Sequence, residues 1–148
     1  MKTIKKAFFL LLSVCMLVCM LNGCKQDPNI ITSSKCSVYI EDSSGSEKLE
    51  FYTVNTLYVD GTQTIECFSP NGTLWYTIDD EGTTYKPACT AEIRERLDQT
   101  SGIMSLIGTG SSDIVQEVKK NKDGLITDEY LYSKSGAYPT IHIVYDFR

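Results

Sequence analysis

Hydrophobic and polar positions divide the chain into three regimes. From Ala7 to Leu21 the residues are almost all apolar and carry no charge. From Lys25 to Ser34 the chain is polar, holds Pro28 and shows no sustained period, apart from the pair Ile30-Ile31. From Lys35 onward the period becomes two, the mark of half-buried strands. Val38 and Ile40 alternate with Ser37, Tyr39 and Glu41, and Asp42-Ser43-Ser44-Gly45-Ser46 has the composition of a turn. Leu49, Phe51 and Thr53 alternate with Glu50 and Tyr52, and the chain continues to Leu57-Tyr58-Val59. Asp60-Gly61 signals a hairpin into Ile65 and Cys67. Pro70-Asn71-Gly72 turns the chain into Leu74, Tyr76 and Ile78, and Asp79-Asp80-Glu81-Gly82 turns it into Thr83 to Lys86. The pattern predicts an antiparallel meander of about five short strands.

One helical region follows. Thr90 is placed to cap it, Glu92 lies in its first turn, and Ile93, Leu97, Thr100, Met104 and Ile107 share a helical stripe. Thr100-Ser101-Gly102 is expected to break that stripe, and the region closes in Gly108-Thr109-Gly110-Ser111-Ser112. The segment reads either as a helix packed on the sheet or as a lid over an apolar cleft, with Met104 as an adaptable lining residue. Ile114 to Val118 fits a strand or a helix, with strand favoured, and strands follow at Leu125 to Ser133 after the Asn121-Lys122-Asp123-Gly124 turn and at Ile141 to Phe147 after Lys134-Ser135-Gly136. In the last of these, Ile141, Ile143, Tyr145 and Phe147 face one side and Thr140, His142, Val144 and Asp146 the other, a side expected to be solvated. The layout is α+β: mainly antiparallel sheet, with one helical region packed on or over it and half-barrel curvature left open.

The apolar run changes the picture of where the domain works. Lys2, Lys5 and Lys6 precede it, giving the positive start and apolar core of an export signal, and its roughly 15 residues fall short of the ~20 that span a bilayer. It ends in Leu21-Asn22-Gly23-Cys24, which resembles a bacterial lipobox. That resemblance implies a signal peptide over residues 1–23, cleavage between Gly23 and Cys24, and a diacylglyceryl group on the Cys24 sulfur. Residues 24–35 then form a lipidated tether, and 36–148 a single β-rich domain. Two acyl chains hold where one binds only marginally, so the chain is expected to be anchored to the cell membrane on its extracytoplasmic side. All 19 acidic residues lie beyond the leader, and without its three lysines the 14 basic residues become 11, a net of −8. Such an acidic domain repels nucleic acid and anionic lipid headgroups alike, which disfavours DNA, RNA or an electrostatic membrane patch as partners.

Chemistry-bearing patterns are mostly missing. His142 is the only histidine, with no nucleophile elbow beside it, and neither CxxC nor HExxH occurs. Taking Gly124 as the sixth position of an EF-hand puts Lys119 first and Tyr130 twelfth, and taking Gly82 as sixth puts Thr77 first and Ala88 twelfth. Neither register supplies the carboxylates of a calcium loop. A looser cation site at Asp79, Asp80 and Glu81 competes with a solvated acidic turn. The expectation is a non-enzymatic chain with no cofactor, metal or catalytic residue. Cysteine arithmetic leaves Cys36, Cys67 and Cys89 once Cys15, Cys19 and Cys24 are set aside. Export permits one disulfide, with Cys67 to Cys89 the first choice because it ties a strand to the start of the helix; three small buried hydrophobes is the other reading.

The order of lipobox, tether, Leu57-Tyr58-Val59-Asp60-Gly61, the Phe68-Ser69-Pro70-Asn71-Gly72 turn, Trp75-Tyr76, the Asp80-Glu81-Gly82-Thr83-Thr84-Tyr85 hairpin, helix and further strands is similar to the LolA/LppX-like lipoproteins. The resemblance implies a curved sheet covered by helices around an apolar hollow. On that view Trp75, Tyr76, Ile93, Leu97, Met104 and Ile107 would line a cleft for a lipid or other apolar ligand. The alternative is a structural or protein-interaction lipoprotein with a filled core, using Tyr52, Tyr58, Tyr130, Tyr132 and Tyr138 to contact a partner protein.

Overall fold

The computed structural model describes residues 29–42, 44–106 and 112–147. The apolar leader, Gly23, Cys24, the start of the tether and Ile107 lie outside them. Among the described residues eight strands and one helix follow in chain order: β1 (Ile30–Glu41), β2 (Glu47–Tyr58), β3 (Gln63–Phe68), β4 (Leu74–Asp79), β5 (Gly82–Tyr85), α1 (Ala91–Ser105), β6 (Ile114–Lys120), β7 (Ile126–Ser133) and β8 (Ile141–Phe147). They build one open antiparallel sheet in the order β5-β4-β3-β2-β1-β8-β7-β6. Each meander is made of hairpins between chain neighbours, and the two join where β8 pairs with β1. The helix carries the chain from one sheet edge to the other. Sheet-dominant α+β architecture is what the two-residue period predicts.

Turn chemistry closes the hairpins. At the β2–β3 turn the Asp60 carboxylate accepts from the Thr62 backbone N–H at 2.9 Å, and Gly61 supplies a φ of 88° that a side chain would resist. At the β6–β7 turn Asn121 accepts from the N–H groups of Asp123 and Leu125 at 2.9 and 3.0 Å.

Register assigns each strand residue to a face. Tyr145, Cys36, Thr53, Cys67, Tyr76 and Tyr85 lie in one row across β8, β1, β2, β3, β4 and β5. This face holds the buried Val38, Phe51, Cys67, Leu131, Ile141 and Ile143, against which α1 packs Leu97, Ile93, Ile103 and Met104. Phe68, Tyr52, Ser37, Val144, Asp128 and Lys119 form a row on the opposite face, from β3 to β6. No described element packs there.

Three expectations are corrected. Strand β1 begins at Ile30, so residues 30–35 belong to the sheet instead of the tether: Ile30 pairs with Tyr58, and Lys35 with both Val54 and Asp146. Alternation missed this stretch because period two reports a contrast in burial, and Ile31 and Thr32 are exposed alike. The helix also runs through Thr100-Ser101-Gly102 to Ser105. Thr100 faces inward at 5% exposure and its hydroxyl donates to the Arg96 carbonyl at 3.1 Å, while Gly102, on the exposed side, costs only about 1 kcal/mol relative to Ala. Finally, His142 is buried, at 8% exposure, on a face expected to be solvated.

Candidate functional site

The residues expected to line a cleft meet between sheet and helix. Thr90 caps α1, its hydroxyl accepting from the Ile93 N–H at 3.4 Å. The cap starts the helix so that Ile93, Leu97 and Met104 point at the sheet, where they join Tyr76 and the buried Trp75 in one apolar cluster. Arg96 pairs with Glu50 of β2 across the rim. Ile107 lies outside the described residues. Beside the cluster is a recess of about 120 Å³ lined by Tyr76, Ile78, Thr83, Tyr85, Arg94, Leu97, Asp98 and Ser101. Small-molecule sites enclose roughly 300–1,000 Å³, so this recess suits a few waters or a fragment, not an acyl chain. Five of the six expected lining residues are therefore together, as packing around one another.

Cys67 and Cys89 share that core as free thiols, 0% and 1% exposed. Burial pushes the Cys67 thiol up to about 11, against a hydrogen bond from Tyr76 that lowers it and with the nearby Cys89 raising it further. A protonated, shielded thiol is a poor nucleophile. Tyr76 is raised in turn, first by burial and then by Cys67. Cys36 is half-buried and also raised, mainly by burial, with the Thr53 bond opposing and the Glu129 charge adding.

Glu129 went unnoticed in the sequence. It is 8% exposed on the helix-covered face, accepting from Gln116 Nε2 at 2.6 Å and from the Tyr145 hydroxyl at 2.8 Å. Burial and that bond raise the Tyr145 hydroxyl. The two donors satisfy one lone pair on each oxygen, the minimum for keeping a carboxylate among apolar strands.

The opposite face carries the second constellation that sequence reasoning missed. His142 stacks on Tyr130 with ring centroids 4.0 Å apart and lies 5.7 Å from Tyr39. Its Nδ1 sits 3.0 Å from both oxygens of Glu47 and its Nε2 3.2 Å from Asp128 Oδ1. Carboxylates only accept, so the ring donates to both neighbours only with a proton on each nitrogen. Lys119 Nζ donates to the Tyr130 hydroxyl at 3.3 Å and lies over that ring. The cluster laces β2, β1, β8, β7 and β6 together. The same face carries Tyr52, stacked on Phe68 with Lys35 above it, and Tyr132, whose hydroxyl donates to Glu117 at 2.7 Å. Tyr58 lies there too, 3.4 Å from the Thr64 hydroxyl. Four of the five tyrosines proposed as contacts thus share one face, and Tyr138 stands apart in the β7–β8 turn.

Among the described residues no group of three His, Cys, Asp or Glu is arranged to hold a metal ion. Glu47 and Asp128 approach different nitrogens of His142 and so share no common point with it. At the acidic turn, Asp79 already accepts from the Glu81 N–H at 2.9 Å. No described helix is long and apolar enough to cross a membrane. No protein-family model matches the chain, and no curated protein matches it in sequence.

Proposed function

We propose that the chain is a non-enzymatic bacterial lipoprotein, anchored on the extracytoplasmic side of the cell membrane through lipid on Cys24, whose domain serves as a protein-interaction module with a filled core. The observation that carries the interaction reading is the distribution of aromatic rings. Tyr39, Tyr52, Phe68, Tyr130 and Tyr132 lie on the sheet face that no described element covers, whereas the rings of the other face, Phe51, Trp75, Tyr76 and Tyr145, are packed into the core with aliphatic and thiol side chains beneath the helix. Tyrosines combine an apolar ring with a polar tip and lose little rotamer freedom, which suits them to contact another protein. The leader and lipobox pattern support the anchor, since a charged start, a short apolar run and a cysteine at its end are what lipid attachment requires.

The test compares the two faces. Photo-crosslinking in native membranes with wild type, with Tyr52→Ser/Tyr132→Ser on the open face and with Glu95→Lys on the exposed helix is expected to give one reproducible adduct, lost only in the tyrosine variant. Equal adducts in all three, or none in any, would overturn the interaction reading. Acyl mass on Cys24, absent in Cys24→Ser, is the separate check on the anchor.

A second reading keeps a small apolar ligand, on a sheet curved toward a half-barrel as in the LolA/LppX-like lipoproteins. The recess beside Tyr76 and Leu97 favours it. Organic extraction of protein purified from membranes, with Leu97→Trp filling the recess as control, is expected to release a bound small apolar molecule, shorter than an acyl chain, only from the wild type if this reading holds.

A further inference from the structure

We propose that the end of the sheet bearing Val59, Ile31, Phe147 and Leu125 rests on the surface of the bilayer that anchors the chain. This inference deepens the lipoprotein reading and rests on it. Val59, Phe147 and Leu125, at 62%, 54% and 49% exposure, are the three most exposed large hydrophobic residues among those described, and Ile31 is 40% exposed. All four stand at one end of the molecule. Val59 follows β2, Ile31 begins β1, Phe147 ends β8 and Leu125 precedes β7. Those are four consecutive strands in the sheet order, β2-β1-β8-β7. Ile31 and Val59 form the tip, held together by the Val59 N–H bond to the Asn29 carbonyl at 2.8 Å. Phe147 is level with Ser34, three residues or about 10 Å back from Ile31. Of the other exposed large hydrophobic residues described, Tyr138 lies in the β7–β8 turn at the opposite end, Tyr85 ends β5 level with Cys36, and Val118 lies within β6 level with Val38.

The chain reaches the sheet at this same end. Only six residue steps separate Cys24 from Ile30, which at ~3.5 Å each spans at most about 20 Å. An acylated Cys24 therefore cannot hold the Ile30 end far from the headgroups, and the nearest part of the domain is the part with apolar side chains out of place in water. Side chains of this kind settle into the boundary between headgroup and acyl chain. Charge fixes the tilt. The β4–β5 corner of this end carries Asp79, Asp80 and Glu81, and the β6–β7 corner carries Lys119, Lys120 and Lys122 against the single acid Asp123, next to Leu125. The two corners are about six strand spacings apart, roughly 29 Å. The domain as a whole is acidic, so the lipid on Cys24 and not charge holds it at the bilayer, but anionic lipid repels the acidic corner more than the lysine one, so the sheet leans on its β1-β8-β7 side.

The experiment uses the full-length acylated chain in vesicles of phosphatidylcholine with a minority of phosphatidylglycerol and with brominated acyl chains. A polarity-sensitive fluorophore is placed on Val59→Cys, Leu125→Cys or Tyr138→Cys, and wild type taken through the same labelling sets the background. The labels at 59 and 125 are expected to shift to the blue and be quenched by bromine, while the label at 138 keeps its emission in water. Replacing Lys120 and Lys122 by Glu is expected to reduce quenching at 125 more than at 59. Acylated, vesicle-bound protein whose labels at 59 and 125 stay in water would overturn the inference and leave the anchor standing. A blue shift that follows protein concentration instead of lipid would overturn it in favour of contact between two copies. If Cys24 carries no acyl mass and the chain does not float with vesicles, the anchor reading fails and the inference falls with it.

Discussion

Ile143 and His142 are neighbours on β8, both nearly buried, and they are held by different physics. Ile143 pairs with Val38 and Glu129 on the helix-covered face and is 1% exposed. His142 pairs with Tyr39 and Tyr130 on the open face and is 8% exposed. Apolar burial is non-directional and scales with area, so the first face needs only a helix of the right stripe to cover it. The second face has no covering element among the described residues, and its half-buried rings shield one another only in part. There each polar atom needs a particular partner, and each partner comes from a different strand. A pattern of apolar positions can announce the first arrangement. The second is fixed only by register.

The sharpest way to break this contrast is to truncate both sides. Ile143→Ala removes buried methylenes from beneath α1 and is expected to cost about 2–5 kcal/mol, because the surrounding strands cannot collapse into the space. Urea unfolding should show a lower midpoint with an unchanged slope. A loss below about 1 kcal/mol would mean that the helix repacks freely and that the covered face is no tighter than the open one.

On the open face, His142→Phe keeps a ring to stack on Tyr130 while removing both ring nitrogens. The expected cost is about 1–3 kcal/mol, because Glu47 and Asp128 lose their shared partner and face one another as like charges. Adding Asp128→Asn to the variant should recover part of that loss by removing one charge, with a smaller recovery at high salt. If His142→Phe is neutral in urea, stacking alone holds this face and the carboxylates are incidental.

The two faces were unequally legible. Val38, Phe51, Cys67, Ile141 and Ile143 follow the two-residue period, and Ile93, Leu97 and Met104 the helical one, so the core, its strands and the Thr90 cap could be read from spacing. Glu129 was readable in principle, since it shares parity with the apolar Leu131, but a lone acid on an apolar face signals a problem without naming Gln116 and Tyr145 as its solution. His142 was misplaced because its burial depends on Glu47, 95 positions away, and on Tyr39 and Tyr130. No local pattern encodes that β8 lies between β1 and β7. The first residues of β1 were missed for the related reason that an exposed strand has no alternation to show.

The helix cap gives a smaller, one-sided effect. Thr90→Ala removes the bond to the Ile93 N–H, and at 3.4 Å that bond is long, so the cost should fall at the low end of the usual range, about 0.5 kcal/mol. Amide hydrogen exchange should quicken in α1 and leave β7 and β8 unchanged. Quickening that spreads to the His142 cluster would show that the faces are coupled through the sheet.

The smallest effect concerns acid. Asp128 on the open face is held below the usual carboxylate range, first by the Thr127 side chain and then by His142. Asp113 at the β6 start is lowered chiefly by Ser133, with Ser135 adding, and the Ser133 hydroxyl donates to it at 2.6 Å. A depressed carboxylate contributes stability that is fully present above its unfolded value, about 3.9, and is lost as pH falls through the lower folded value. Both carboxylates are largely solvated, so each contribution is screened and modest. The urea midpoint should therefore fall below about pH 4, and Asp128→Asn and Asp113→Asn should each make that fall shallower. Asp128 carries the contrast between faces, because protonating it also leaves Nε2 of His142 without a charged acceptor. If Asp128→Asn leaves the acid limb unchanged while Asp113→Asn flattens it, acid weakens the β6–β7 end of the sheet and the open face does not depend on its charges.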